Sequence, residues 1–61
     1  MKAIVYCGNE GQSGQYFSYY TVEEDFEPSY FSGKYWLTEK GVIRHLRKRG
    51  ITPYNKNRVE L

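Results

Sequence analysis

One cysteine and one histidine are all the thiol and imidazole this sequence holds. A lone Cys7 excludes an intrachain disulfide. Cys7 and His45 together fall short of the four ligands usual at a structural zinc site. No stretch approaches the ~18 apolar residues that a membrane-crossing helix needs. The opening "MKAIVYCGNE" carries one Lys and a short apolar run, with no small-residue cleavage site after it. The expectation is therefore a cytoplasmic protein with a reduced thiol and no contact with a membrane. Acid is missing from "IRHLRKRG" (Ile43 to Gly50), where Arg44, His45, Arg47, Lys48 and Arg49 can all carry positive charge.

What is present is charge asymmetry and aromatic mass. The net charge of +2 combines two unlike halves. Residues 1–30 set Lys2 against Glu10, Glu23, Glu24, Asp25 and Glu27, net −4. Residues 31–61 set Lys34, Lys40, Arg44, Arg47, Lys48, Arg49, Lys56 and Arg58 against Glu39 and Glu60, net +6. Such asymmetry bears on partners rather than on fold. Seven Tyr, three Phe and one Trp make 18% of the 61 residues. Rings bury roughly 150–250 Å² each. A chain this short forms one domain and needs that density to build a core.

Lys2 to Cys7 reads as a strand, with Ile4 and Val5 β-branched. Cys7 closes an apolar run, so its thiol reads as buried and inert. "GNEGQSG" (Gly8 to Gly14) reads as a hairpin connection; its glycine spacing matches neither a dinucleotide fingerprint nor a P-loop. "QYFSYYTV" (Gln15 to Val22) reads as a strand with Phe17, Tyr19 and Thr21 on one face and Tyr16, Ser18, Tyr20 and Val22 on the other. Glu23 to Ser29 is an acidic connection. "YFSGKYWL" reads as a third strand with its firm part at Lys34 to Leu37 and a bulge at Gly33.

Thr38 then reads as a helix N-cap, with Glu39 in the first turn. The helix runs from about Glu39 to Arg49. Gly50 takes the left-handed position of a Schellman ending, and Ile51 folds back on Leu46. On a helical wheel Val42, Ile43, Leu46 and Gly50 share an arc of about 100°, which faces the core. Lys40, Arg44, Arg47 and Lys48 share the outward arc, with His45 and Arg49 on one flank. "KYWLTEKG" resembles the wing-strand-to-helix junction of winged-helix regulators over eight of 61 residues. The strands before it replace the helices those domains need. The resemblance implies only the boundary at Thr38.

The expected architecture is α+β: a small three-stranded antiparallel sheet in β-β-β-α order with one helix packed on one face. Residues 1–61 form one domain. Residues 52–61 read either as a loose tail or as a fourth, edge strand, the latter at Arg58 to Leu61. The sheet face away from the helix is open or covered by a second copy.

For function, the basic helix face lacks the acids that would make i,i+4 pairs, so Lys40/Arg44 and Arg44/Lys48 repel. An anionic partner explains that, as does an acidic loop folded over the helix; an ordinary solvated surface is the third explanation, since basic residues near a helix C-terminus are favoured anyway. The leading expectation is a nucleic-acid-binding protein. Lys40, Arg44, Arg47, Lys48 and Arg49 would hold phosphates, with Lys34, Lys56 and Arg58 at the margin, and Trp36 or exposed Tyr would stack on bases. The alternative is a protein-binding module or small inhibitor that acts through an aromatic sheet face with Tyr16, Tyr20 and Tyr30 and the acidic Glu23, Glu24 and Asp25. That reading includes a homodimer. No nucleophile constellation surrounds Cys7 or His45, so no enzyme, cofactor, metal or small-molecule substrate is expected.

Overall fold

The computed structural model describes residues 1–9 and 14–61. Most of the connection expected over Gly8 to Gly14, Gly11 included, lies outside the described residues. The elements run β1 (Lys2–Asn9), β2 (Gln15–Val22), β3 (Pro28–Phe31), α1 (Glu39–Lys48) and β4 (Thr52–Tyr54). They form one four-stranded sheet in the order β3-β2-β1-β4, with the helix on one face. The α+β class holds, but the sheet is mixed: β4 lies parallel to β1, and the other pairs are antiparallel.

β1 and β2 pair over their full lengths, with Ala3 opposite Thr21, Val5 opposite Tyr19 and Cys7 opposite Phe17. Strand alternation puts these six residues on the helix face. Ala3, Val5, Tyr19, Val42 and Leu46 make the core, with Phe17, Trp36, Ile51 and Leu61 packed around it. Val42 and Leu46 are fully buried, as the four-residue spacing of an amphipathic helix requires.

The helix ends follow the sequence. The Thr38 hydroxyl accepts from the Gly41 N–H at 3.1 Å, which satisfies one otherwise orphaned donor. At the other end Gly50 N–H donates to Arg47 at 3.1 Å and Ile51 N–H donates to Leu46 at 3.0 Å. Gly50 has φ +72°. This is the complete Schellman pattern, and Ile51 reaches the core as expected.

Four expectations need correction. The third strand is Pro28–Phe31, not Lys34 to Leu37. Gly33 turns to φ +71°, and the Ser18 hydroxyl holds the Lys34 carbonyl at 2.6 Å. That bond takes the Lys34 carbonyl out of the ladder, and only Trp36 rejoins it, opposite Phe17. The fourth strand is Thr52–Tyr54, not Arg58 to Leu61. The Schellman ending reverses the chain so that it re-enters beside β1 directly, and the rest of 52–61 turns back on β4 rather than hanging loose. Cys7 is exposed. It lies one alternation beyond Val5, at the margin of the helix footprint. Ile43 is half-buried and stands outside the core cluster. Trp36 packs on the Gly41 and His45 side of the helix, which rotates the buried arc away from Ile43.

Candidate nucleic-acid interface

The outward side of α1 is a basic stripe. Lys40, Ile43, Arg44, Arg47 and Lys48 line a shallow depression of about 510 Å³ along it. The four basic residues are exposed. Lys40, Arg44 and Lys48 stand four residues apart, so they rise about 6 Å per step along the helix axis. The stripe thus combines three evenly spaced cations with one half-buried aliphatic side chain at its edge.

Among the described residues no Asp or Glu side chain pairs with its charges. Among the described residues the ion pair formed is Lys2 with Glu24, at 3.5 Å. The acidic connection, Glu23 to Glu27, therefore does not fold over the helix. It closes on itself through Glu23 N–H to the Glu27 carbonyl at 2.9 Å and Phe26 N–H to the Glu23 carbonyl at 2.8 Å. Phe26 then packs edge-on against Tyr54, with ring centroids 5.3 Å apart, beneath the Lys2 ammonium at 4.8 Å. Tyr54 stands opposite Ile4 in the ladder, so this contact lies on the far face of the sheet.

Within the stripe Arg47 is tied to the end of the chain, and the remaining basic residues expected at the site lie elsewhere. Arg47 donates to the main-chain oxygen of Leu61. Arg49 folds back on the helix and contacts His45 Nδ1 at 3.0 Å. Lys34 is exposed and close enough to His45 to act on its charge. Lys56 shares a depression with Cys7 and Glu39 away from the stripe. The Arg58 guanidinium sits 5.2 Å from the Phe26 ring on the far face. Lys34, Lys56 and Arg58 are thus not part of the stripe.

His45 is the residue whose role the sequence understated. Its ring packs 4.8 Å from Trp36 and 5.8 Å from Tyr19. Desolvation by these neighbours, then the Arg49 and Lys34 charges, lowers its pKa from the ordinary histidine value. A neutral Nδ1 can accept from Arg49. The four-residue spacing of His45 and Arg49 was the available sequence signal.

The aromatic residues divide between the two sheet faces. Trp36 is half-buried against Tyr19, His45 and Gly41, so it belongs to the core margin rather than to an exposed stacking surface. Tyr16 lies over Gly8 and meets Tyr35 at 4.7 Å. Tyr20 stacks between Tyr6 at 5.9 Å and Phe31 at 4.9 Å on the far face. Tyr30 pairs with Thr21 and is exposed. Glu23, Glu24 and Asp25 lie exposed in the acidic turn. The residues expected of a protein-binding face are therefore dispersed over both sides and one edge of the sheet.

Among the described residues no group of His, Cys, Asp and Glu is placed to hold a metal ion, and no helix is long and apolar enough to cross a membrane. No family model, no curated protein and no solved structure matches this chain.

Proposed function

We propose that the chain binds nucleic acid through its phosphate backbone, using the outward stripe of α1. Lys40, Arg44 and Lys48 are the principal contacts, with Arg47 beside them. The observation that carries this reading is that, among the described residues, three cations at four-residue spacing have no carboxylate to neutralise them, although Glu23, Glu24, Asp25 and Glu27 are described in the same chain. Like charges at i,i+4 destabilise an isolated helix by a few tenths of a kcal/mol per pair. Phosphate contacts would offset that repulsion and release counterions.

Base stacking has a smaller part in this reading than the sequence suggests. The cluster of Tyr6, Tyr20 and Phe31 lies on the sheet face opposite the helix, and Trp36 is engaged in packing. A strand lying along the stripe does not reach those rings. Recognition is therefore by backbone, with weak dependence on base sequence.

The test is fluorescence anisotropy with single- and double-stranded oligonucleotides over a salt series. The expected affinity is non-specific, with Kd on the order of 10⁻⁴ to 10⁻⁶ M. Each phosphate contact adds about 0.7 to 0.9 to the log–log salt slope. Arg44→Glu/Lys48→Glu should lower that slope by about 2. Absence of binding at low salt, or binding indifferent to the double reversal, overturns the proposal.

A further inference from the structure

The sheet has two edges, and the chain treats them differently. The outer side of β4 is closed by the segment that follows it. Leu61 N–H donates to the Pro53 carbonyl at 2.9 Å, Glu60 bridges Tyr54, and Asn55 N–H donates to Val59 at 2.9 Å. The outer side of β3 has no such cover among the described residues. All four of its residues are exposed, Tyr30 at 61% and Phe31 at 59%. Edge strands are ordinarily blunted by charge, by bulges or by a covering segment. β3 carries no charged residue; what blunts it is Pro28 at its first position and the register shift between Tyr30 and Pro28, which leaves the Phe31 end of the strand regular.

The free edge also has backbone groups to offer. Ser32 N–H donates to the Tyr19 carbonyl at 3.3 Å, and Phe31 stands opposite Tyr20. Antiparallel alternation then turns the N–H and C=O of Phe31 away from β2. The two ends of the strand carry opposite charge. Asp25 and Glu27 precede it and Lys34 follows it, and none of the three forms an ion pair among the described residues. Acid before and base after is self-complementary only when two such strands run antiparallel.

We propose that β3 pairs antiparallel with β3 of a second copy about a twofold axis at Phe31, joining two four-stranded sheets into one. The two Phe31 residues exchange main-chain hydrogen bonds, and their rings meet on the far face beside Tyr20. The Asp25 and Glu27 end of each copy lies beside Lys34 of the other. The axis stands perpendicular to the sheet, so both helices fall on the same side with their basic stripes facing outward together. Pairing through β3 leaves the helix stripes free and does not depend on their binding nucleic acid.

Sedimentation of the whole chain from micromolar to millimolar concentration tests it. The expected result is a concentration-dependent shift from monomer to dimer and no further, because twofold pairing closes. Lys34→Glu should weaken the dimer, and Lys34→Glu with Asp25→Lys and Glu27→Lys should restore it. In a Cys7→Ser background, Phe31→Cys should oxidise to a disulfide-linked dimer. Hydrogen-bonded antiparallel pairs hold their Cα atoms about 5.5 Å apart, within the disulfide window. Tyr35→Cys should not cross-link. A monomer at millimolar concentration, open-ended assembly, a dimer indifferent to Lys34→Glu, or equal cross-linking of the two cysteine variants overturns the proposal.

Discussion

Phe26 and Arg58, the two non-glycine residues at positive φ among those described, touch one another. Their φ angles are 65° and 64°, and the Arg58 guanidinium lies 5.2 Å from the Phe26 ring centroid. A left-handed conformation costs an L-residue roughly 1–2 kcal/mol. At Phe26 the ring offsets that cost by packing on Tyr54 under Lys2. The usual ranking of truncations should therefore invert. Phe26→Ala keeps the backbone strain and loses the ring; Phe26→Gly loses the ring and the strain. Urea denaturation should find the Gly variant about 1 kcal/mol more stable than the Ala variant.

Ser18 holds the segment that leaves β3. Its hydroxyl donates to the Lys34 carbonyl at 2.6 Å, so at 3.0 Å the Ser32 hydroxyl must be the donor to Ser18. Lys34 N–H donates to the Ser32 hydroxyl at 3.2 Å and closes the ring of bonds. Ser18 is 1% exposed, so water cannot readily replace it. Ser18→Ala should destabilise the chain by about 1–3 kcal/mol. Amide exchange should show the loss first at residues 32 to 34. Uniform loss across the sheet would mean that Ser18 matters for packing alone.

These two contacts mark where the sequence stopped being legible. Helix α1 could be read almost to the residue, because Thr38, Gly50 and Ile51 act through local geometry that any context preserves. β2 could be read because alternation and β-branched or aromatic content agree. Lys34 to Leu37 also has strand-like composition, yet tertiary bonds from Ser18 override it. Cys7 followed an apolar run and still lies exposed, because burial depends on where the helix ends over the sheet. The basic stripe was visible as a pattern. Its lack of partners was not, since that depends on where the acidic turn folds.

Stability should fall as pH drops through the histidine range. The His45 pKa is lowered by desolvation, then by Arg49 and Lys34. The folded state therefore binds the proton less readily than the unfolded chain. The stabilisation is present above the unfolded value of 6.5 and is lost as pH falls below it toward the folded value. The groups facing His45 are Arg49, Lys34, Trp36 and Tyr19. Urea midpoints should decline from neutral to mildly acidic pH in the parent chain. His45→Gln should flatten that decline, and an unchanged slope would assign it to other groups.

The N-cap offers a cleaner energetic test. Thr38→Ala should cost about 1 kcal/mol, and Thr38→Ser should recover most of it. The measurement is again the urea midpoint. Gly41, whose N–H the cap binds, should not repay substitution as helix propensity suggests. A Cβ there would meet Trp36 Cδ1 at 3.2 Å and Thr38 Oγ1 at 3.3 Å. Gly41→Ala should therefore gain less than the ~1 kcal/mol that exposed helix sites give, with a shift in Trp36 fluorescence.

A single reversal on the stripe should move stability and binding in opposite directions. Arg44 lies between Lys40 and Lys48, each four residues away and without an ion pair among the described residues. Arg44→Glu replaces two repulsions with two attractions, and Glu ahead of Lys48 is the better orientation for the dipole. The helix should gain about 0.2–0.5 kcal/mol per pair at low salt, with the gain fading as ionic strength rises. Oligonucleotide affinity should fall in the same variant, with the salt slope reduced by about 1 or more. A stripe kept only for solubility predicts the first effect without the second. If Arg44→Glu left both unchanged, the charges would be too solvated to couple to anything, and the case for a phosphate surface on this helix would fail with them.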